Sequence, residues 1–258
     1  MGYRRPHLFD LSIQHFNALS PIGRCRAVCT RPRHLGCRPV RDSMNLDWIV
    51  DRRGDAGPVI DQGARPTCLS CATSSAHHER SGQARSIEFL HNATLSKPNG
   101  SGNFSSVKQA LLAEGQPPEY QWPYDSTIDD ADAKIPKHIP GPFERADYDV
   151  SSGNDIDSLV IKLQAGLLPV IGLATTRPFI QMQGGILIDP AAHLDGHAVL
   201  LVGAARYQGP DTPQVKKSDI FMCIQNSWGK SWGVSGFALI APSAWIDMVL
   251  VSAVLTDS

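Results

Sequence analysis

Apolar positions along this chain change their rhythm near residue 167. Ahead of that point they recur three or four apart, the spacing that lines one face of a helix. From residue 68 to about residue 81 no Pro or Gly intervenes. Thr67 is placed to cap the first turn, and the small residues Ala72, Ser74, Ser75 and Ala76 predict a helix packed closely on most sides. "SSVKQALLAEG" predicts a second helix with Ser105 as cap, Val107, Ala110 and Leu111 facing inward, and Gly115 as stop. "NDIDSLVIKLQAG" predicts a third, from a cap near Asn154 to Gly166. Beyond it come "LPVIGLA", "HAVLLVGA", "DIFMCIQN", "GFALIA" and "MVLVSAVL", short runs rich in β-branched residues and parted by turn-forming stretches. "PVIDQG", near 57–61, reads as one further short strand. The pattern predicts an α+β fold of two lobes: a helical one over about 68–150, and a β-rich one over about 151–258 that also takes in the strand near 57–61. No internal repeat is visible.

Charge separates the N-terminal stretch from the rest. Residues 1–41 hold eight Arg and one acid, Asp10, about +7; with a net charge of −1 for all 258 residues, the remainder carries about −8. An acidic body speaks against a nucleic-acid partner, which asks for a basic face. Residues 1–43 show no sustained period and read as a basic leader or pro-segment, with the folded unit spanning 44–258. Cys25, Cys29, Cys37 and His34 lie in that leader, but their spacing matches no familiar zinc site. The longest apolar run, 167–174, is far below the ~20 residues that span a bilayer, so no membrane partner is expected. Asp10, Gln14 and His15 interrupt any signal-type apolar stretch. Six cysteines are too few for a disulfide scaffold at this length. Together these point to a cytoplasmic location, with export by a specialised route as the alternative.

The stretch "DQGARPTCLSC" poses the chemical question. Cys68 and Cys71 could form a metal or redox pair, or one could be a nucleophile. A redox pair wants a βαβ context and a zinc site a second pair of ligands, and neither is found. Nucleophilic thiol chemistry needs a thiolate, a base, a group that orients the base, and donors for an oxyanion. Cys68 would sit in the first turn of its helix, where backbone N–H groups favour a thiolate. Cys71, a turn further in, reads as core, as does Cys223 within its strand; His77 and His78 read as packing or surface residues. His197 opens the run "HAVLLVGA", Asn226 closes "DIFMCIQN" before a Trp-Gly turn, and Gln62 lies six residues ahead of Cys68.

"PVIDQGARPTC", "GHAVLLVGA" and "NSWGKSWGVSGFALI" resemble, in order, the three active-site blocks of papain-like cysteine peptidases. "FSSVKQALLAEGQPPEYQWPYD" resembles the segment that links the lobes in bacterial members of that family. The intervals from Cys68 to His197 (129 residues) and to Asn226 (158) suit such enzymes, whose base and amide lie roughly 130–150 residues downstream. The resemblance implies a two-lobe fold with the active site in a cleft, Cys68 as nucleophile, His197 as base, Asn226 as its orienting amide and Gln62 as oxyanion donor. It also implies peptide binding by Pro66, Gly102, Asp195, Ala198 and Trp228. Neither metal nor organic cofactor is required, the partner is a peptide or protein substrate, and no oligomeric state is indicated. A thiolate–imidazolium pair with a depressed thiol pKa is expected. Three positions depart from the family pattern. Pro66 replaces a usual Gly, Leu69 a usual aromatic, and Arg65 a disulfide cysteine of secreted members. Another acyl-transfer activity on the same residues (deamidase, amidase or transpeptidase), or a decayed binding module, are the alternative readings.

Overall fold

The structure, a computed structural model, describes residues 45–258 apart from Asn99, Ser101 and Pro142. The leader, with the Cys25/Cys29/Cys37 and His34 group, lies outside the described residues. Three helices make one lobe: α1 (Cys68–Ser81), α2 (Ile87–Leu95) and α3 (Phe104–Ala113). Ten consecutive residues of α1, Cys68 to His77, are buried. Eight of the ten are Cys, Ser, Thr or Ala, small enough for neighbouring elements to approach closely on every face.

The other lobe is built on one sheet. Its strands are β1 (Leu46–Asp51), β2 (Asp147–Ser152), β3 (Val170–Thr176), β4 (Ile186–Leu187), β5 (His193–Tyr207), β6 (Ile220–Gln225), β7 (Phe237–Ile240) and β8 (Val249–Thr256). They lie in the order β2-β8-β3-β5-β6-β7-β4, with β1 also paired to β5. The long β5 is the spine, antiparallel to β1, β3 and β6. Residues 197–205 of β5 are all buried, and α1 packs against it, which explains why this strand reads as an unbroken apolar run and not as an alternation. Helices α4 (Ile156–Gln164), α5 (Arg177–Ile180) and α6 (Pro242–Met248) complete the α+β, two-lobe architecture. Among the described residues no helix is long and apolar enough to cross a membrane.

Local expectations shift in several places. All five runs after residue 167 contain strands. The strand expected near 57–61 carries only an isolated bridge, Asp61 to Trp228, while the added strand is β1, eleven residues earlier. Strand β2 begins at Asp147, four residues inside the stretch assigned to the helical lobe, and pairs with β8. The cap of α3 is Asn103, whose Oδ1 accepts from the N–H groups of Ser105 and Ser106, so Ser105 lies inside the helix. Asp155, not Asn154, caps α4. Thr67 occupies the N-cap of α1 without capping it, because its hydroxyl is bonded to Tyr124 Oη at 2.7 Å. The first N–H groups of α1 are therefore left for Cys68 and whatever binds beside it.

Candidate active site

The helical lobe brings Cys68, the loop ahead of it brings Gln62, and the sheet brings His197 and, at the end of β6, Asn226. Cys68 opens α1, and the backbone N–H of Ala198, the residue after His197 on β5, reaches its thiol. His197 Nε2 meets Asn226 Oδ1 at 2.7 Å. The N–H of Ser227 also meets that oxygen, at 2.8 Å, and since a backbone N–H can only donate, the amide orientation is settled. Asn226 therefore accepts, His197 carries its proton on Nε2, and Nδ1 keeps its lone pair on the side away from Asn226. Asn226 Nδ2 is buried without a partner.

Gln62 is held on three sides. Its N–H donates to the Ser227 carbonyl at 2.8 Å, its Oε1 accepts from Ser227 Oγ at 2.6 Å, and its Nε2 donates to the Arg65 carbonyl at 2.8 Å. One of the two N–H bonds on Nε2 remains uncommitted. Gly63, next in the chain, has φ of +64°, and a Cβ there would stand 2.3 Å from the Ser126 carbonyl oxygen. Only glycine lets the 62–67 loop fold against the 124–130 segment in this way. Gly229, at φ +72°, likewise lets the Trp-Gly turn close on the Asp61 carboxylate.

An aromatic cluster covers the imidazole. The Trp228 ring lies 4.5 Å from that of His197, Phe179 stands edge-on at 6.1 Å, and Trp232 closes the group 5.1 Å from Phe179. Trp232 Nε1 donates to the Phe179 carbonyl, so its polar edge is satisfied. Burial pushes the Cys68 thiol up, while the amides of Ala198, Leu69 and Cys68 itself pull the other way. Burial pushes His197 down to about 4, against the opposing pull of its bond to Asn226. A dry site penalises each single charge, which works against the depressed thiol value that its place on the helix alone would give.

The other expected residues are distributed unevenly. Trp228 and Ala198 flank His197, and Pro66 is exposed between Arg65 and Thr67. Asp195 is exposed on β5, its backbone bonded to Thr175 Oγ1. Gly102 lies in the loop before α3, where an added Cβ would meet nothing within 4 Å. Cys71 is buried, its thiol raised by burial and donating to Thr67 Oγ1 at 3.7 Å. Sequence reasoning missed Ser227, Phe179 and Trp232. The two Trp-Gly pairs flanking Lys230 and Ser231 were the available signal for Trp232; Ser227 and Phe179 offered none. Among the described residues no group of three His, Cys, Asp or Glu could hold a metal ion.

The model of the papain family cysteine proteases matches residues 43–249. A cysteine proteinase of Dictyostelium discoideum is 25% identical over 226 residues, covering 81% of this chain and 63% of its own length. A digestive cysteine proteinase of Homarus americanus is also 25% identical, covering 78% of this chain and 62% of its own. This chain thus spans somewhat less than two thirds of the length of these relatives. Among solved structures, a cysteine protease of Carica candamarcensis superposes with a TM-score of 0.62 at 21% identity, over 83% of this chain and 99% of that one. Xylellain, a cysteine protease from Xylella fastidiosa, gives 0.59 at 17% identity, over 90% of this chain and 100% of its own. The structural likenesses speak for the fold, the family match for more: this chain belongs to the papain family of cysteine proteases.

Proposed function

We propose that the protein hydrolyses peptide bonds through a thioester on Cys68. The observation that carries this reading is the fixed tautomer of His197: with Nε2–H given to Asn226, the basic Nδ1 is left for the thiol that lies against the next residue, Ala198. The Cys68 proton passes to Nδ1, and the thiolate attacks the substrate carbonyl carbon. The free N–H of Gln62 Nε2 and the backbone N–H of Cys68 hold the oxyanion. His197 returns the proton to the departing amine. Water, deprotonated by His197, then releases the acid and restores the thiol. Thiolate and imidazolium arise together by this proton shift, so the dry cleft holds a neutral pair of opposite charges and neither ion stands alone.

Pro66, Gly102, Asp195, Ala198 and Trp228 would contact the peptide, Trp228 on the leaving-group side. The linking segment "FSSVKQALLAEGQPPEYQWPYD" supports a bacterial-type member of the family, with residues 44–258 as its catalytic unit. The test is a peptide library incubated with purified protein and read by mass spectrometry, beside iodoacetamide labelling at pH 6. New amino and carboxyl termini, with label on Cys68 and none on Cys71, support the reading. Label on Cys71 alone, or products that keep every backbone bond, would sink it.

A further inference from the structure

Arg65 lies midway between Gln62 and Cys68, and its guanidinium is buried. Nη1 and Nη2 donate to the two carboxylate oxygens of Glu88 at 2.7 Å each, and Nε donates to Asp130 Oδ1 at 2.9 Å. Nη1 also donates to the Asp125 carbonyl at 2.9 Å, and the Tyr124 ring lies 5.0 Å from the guanidinium carbon. Asp130 turns its second oxygen to His91 Nε2 at 3.0 Å. Glu88 is as buried as Arg65. The pair raises the Arg65 pKa, chiefly through Glu88, and Asp130 is held below its usual range by His91 and Arg65 against the cost of its partial burial. One side chain therefore ties the 62–67 loop to α2 and to the 124–130 segment.

The other end of the same residue faces Gln62. The Arg65 carbonyl accepts from Gln62 Nε2, and Tyr124, which underlies the guanidinium, donates its hydroxyl to the Gln62 carbonyl at 2.9 Å. A bidentate fork fixes the plane of a guanidinium as well as its position. Fixing that plane fixes the chain it hangs from, and the carbonyl of that chain selects which N–H of Gln62 stays free. A looser tie would let the Gln62 amide turn about its last torsion, which is broad when nothing restrains it.

Resting on the peptidase reading, we infer that Arg65 is a positioning residue for the oxyanion donor: its buried ionic clamp with Glu88 and Asp130 orients the carbonyl that aims Gln62. The clamp touches no substrate and acts through Gln62 alone.

A double-mutant cycle tests it. kcat and KM for a peptide substrate are measured for the wild type, Asp130→Asn, Arg65→Lys, Gln62→Ala and each clamp variant combined with Gln62→Ala, with unfolding midpoints to confirm folding. Asp130 is partly exposed, so Asp130→Asn keeps a folded chain available if Arg65→Lys does not give one. Gln62→Ala should lower kcat by roughly 10²–10³. Asp130→Asn should lower it about 10-fold with KM within about twofold, since a small misplacement of one donor costs part of that donor's effect. In the Gln62→Ala background the same substitution should cost less than about twofold, because the group it aims is gone. Losses that multiply across the cycle would overturn the inference while leaving the peptidase reading intact. A fully active Gln62→Ala would remove the oxyanion role itself, and the clamp's function with it.

Discussion

On one side of the cleft, the loop carrying Gln62 hangs from charges and hydroxyls: Arg65 on Glu88 and Asp130, Tyr124 on Gln62 and Thr67. On the other, His197 within β5 and Asn226 just past β6 stand under Trp228, Phe179 and Trp232. The two sides do comparable work by different means. A strand inside a sheet is positioned by its neighbours' backbones, and an aromatic cover needs only volume to hold it. A loop has no ladder. Its shape must come from partners that demand direction, and charge-assisted hydrogen bonds are the most directional available. The price of that precision is a set of buried charges that are costly to leave unpaired.

Four measurements press on this contrast. The largest effect belongs to neither side. Cys68→Ala should abolish turnover, a loss on the order of 10⁶ for a removed nucleophile. Its melting temperature should stay within a few degrees, since both holding systems remain; a large drop would mean the thiol also holds the lobes together.

Next, Glu88→Ala should cost about 3–5 kcal/mol in urea unfolding, because it takes the bidentate carboxylate from a buried guanidinium and leaves Asp130 on Nε alone. Replacing both partners with apolar residues, Arg65→Met with Glu88→Leu, should recover most of that stability but not turnover. Phe179→Ala should cost a similar ~3–5 kcal/mol through the cavity it leaves. Should the apolar double variant be as unstable as Glu88→Ala, the charged side would owe its stability to shape, and the contrast would fail.

Acid should then act through buried histidines. His77 lies wholly buried on α1, its Nδ1 bonded to Gln116 Oε1 at 2.9 Å, and burial lowers it to about 4. Its ordinary value is ~6.5, so between those pH values the unfolded chain binds a proton that the folded chain refuses. Its contribution is complete above pH ~6.5 and lost as the pH falls toward 4, on the order of 3 kcal/mol. His77→Gln should flatten that slope in unfolding curves taken across this range. His197, lowered in the same direction, should add a second proton's slope in Cys68→Ala, where no thiolate can form beside it. An identical slope in wild type and Cys68→Ala would argue against a charged pair.

The smallest effect is Cys71→Ala. The thiol donates to Thr67, Thr67 to Tyr124, and Tyr124 to the Gln62 carbonyl. Ending that chain one group early should cost about 1–2 kcal/mol, with kcat changed less than threefold. A tenfold fall in kcat would make Cys71 part of the loop's aiming system.

Legibility from sequence followed the same divide. The strands after residue 167 were readable because β-branched runs between turns are a local signal. The helix α1 was readable because small residues cluster where every face is covered. The spacing of Cys68, His197 and Asn226 could be read in chain order. Arg65 was visible only as a departure, since Glu88 and Asp130 stand 23 and 65 residues away and leave no periodic mark. Ser227 meets Gln62 across 165 residues and was invisible for the same reason. Strand β1, "LDWIVD", was missed because its apolar residues are flanked by acids, and α2 because "IEFLHNATL" interleaves polar residues without a sharp stop.

The ends of the sheet have a consequence for life in a crowded solution. A free edge is a template on which another chain can add a strand. At one end β4 is two residues long, too short to recruit a partner. At the other, β2 exposes Val150 beside Asp149, which is itself exposed. β2 is long enough to take a strand, and the exposed Asp149 in its middle puts on that edge a charge of the kind that discourages strand addition.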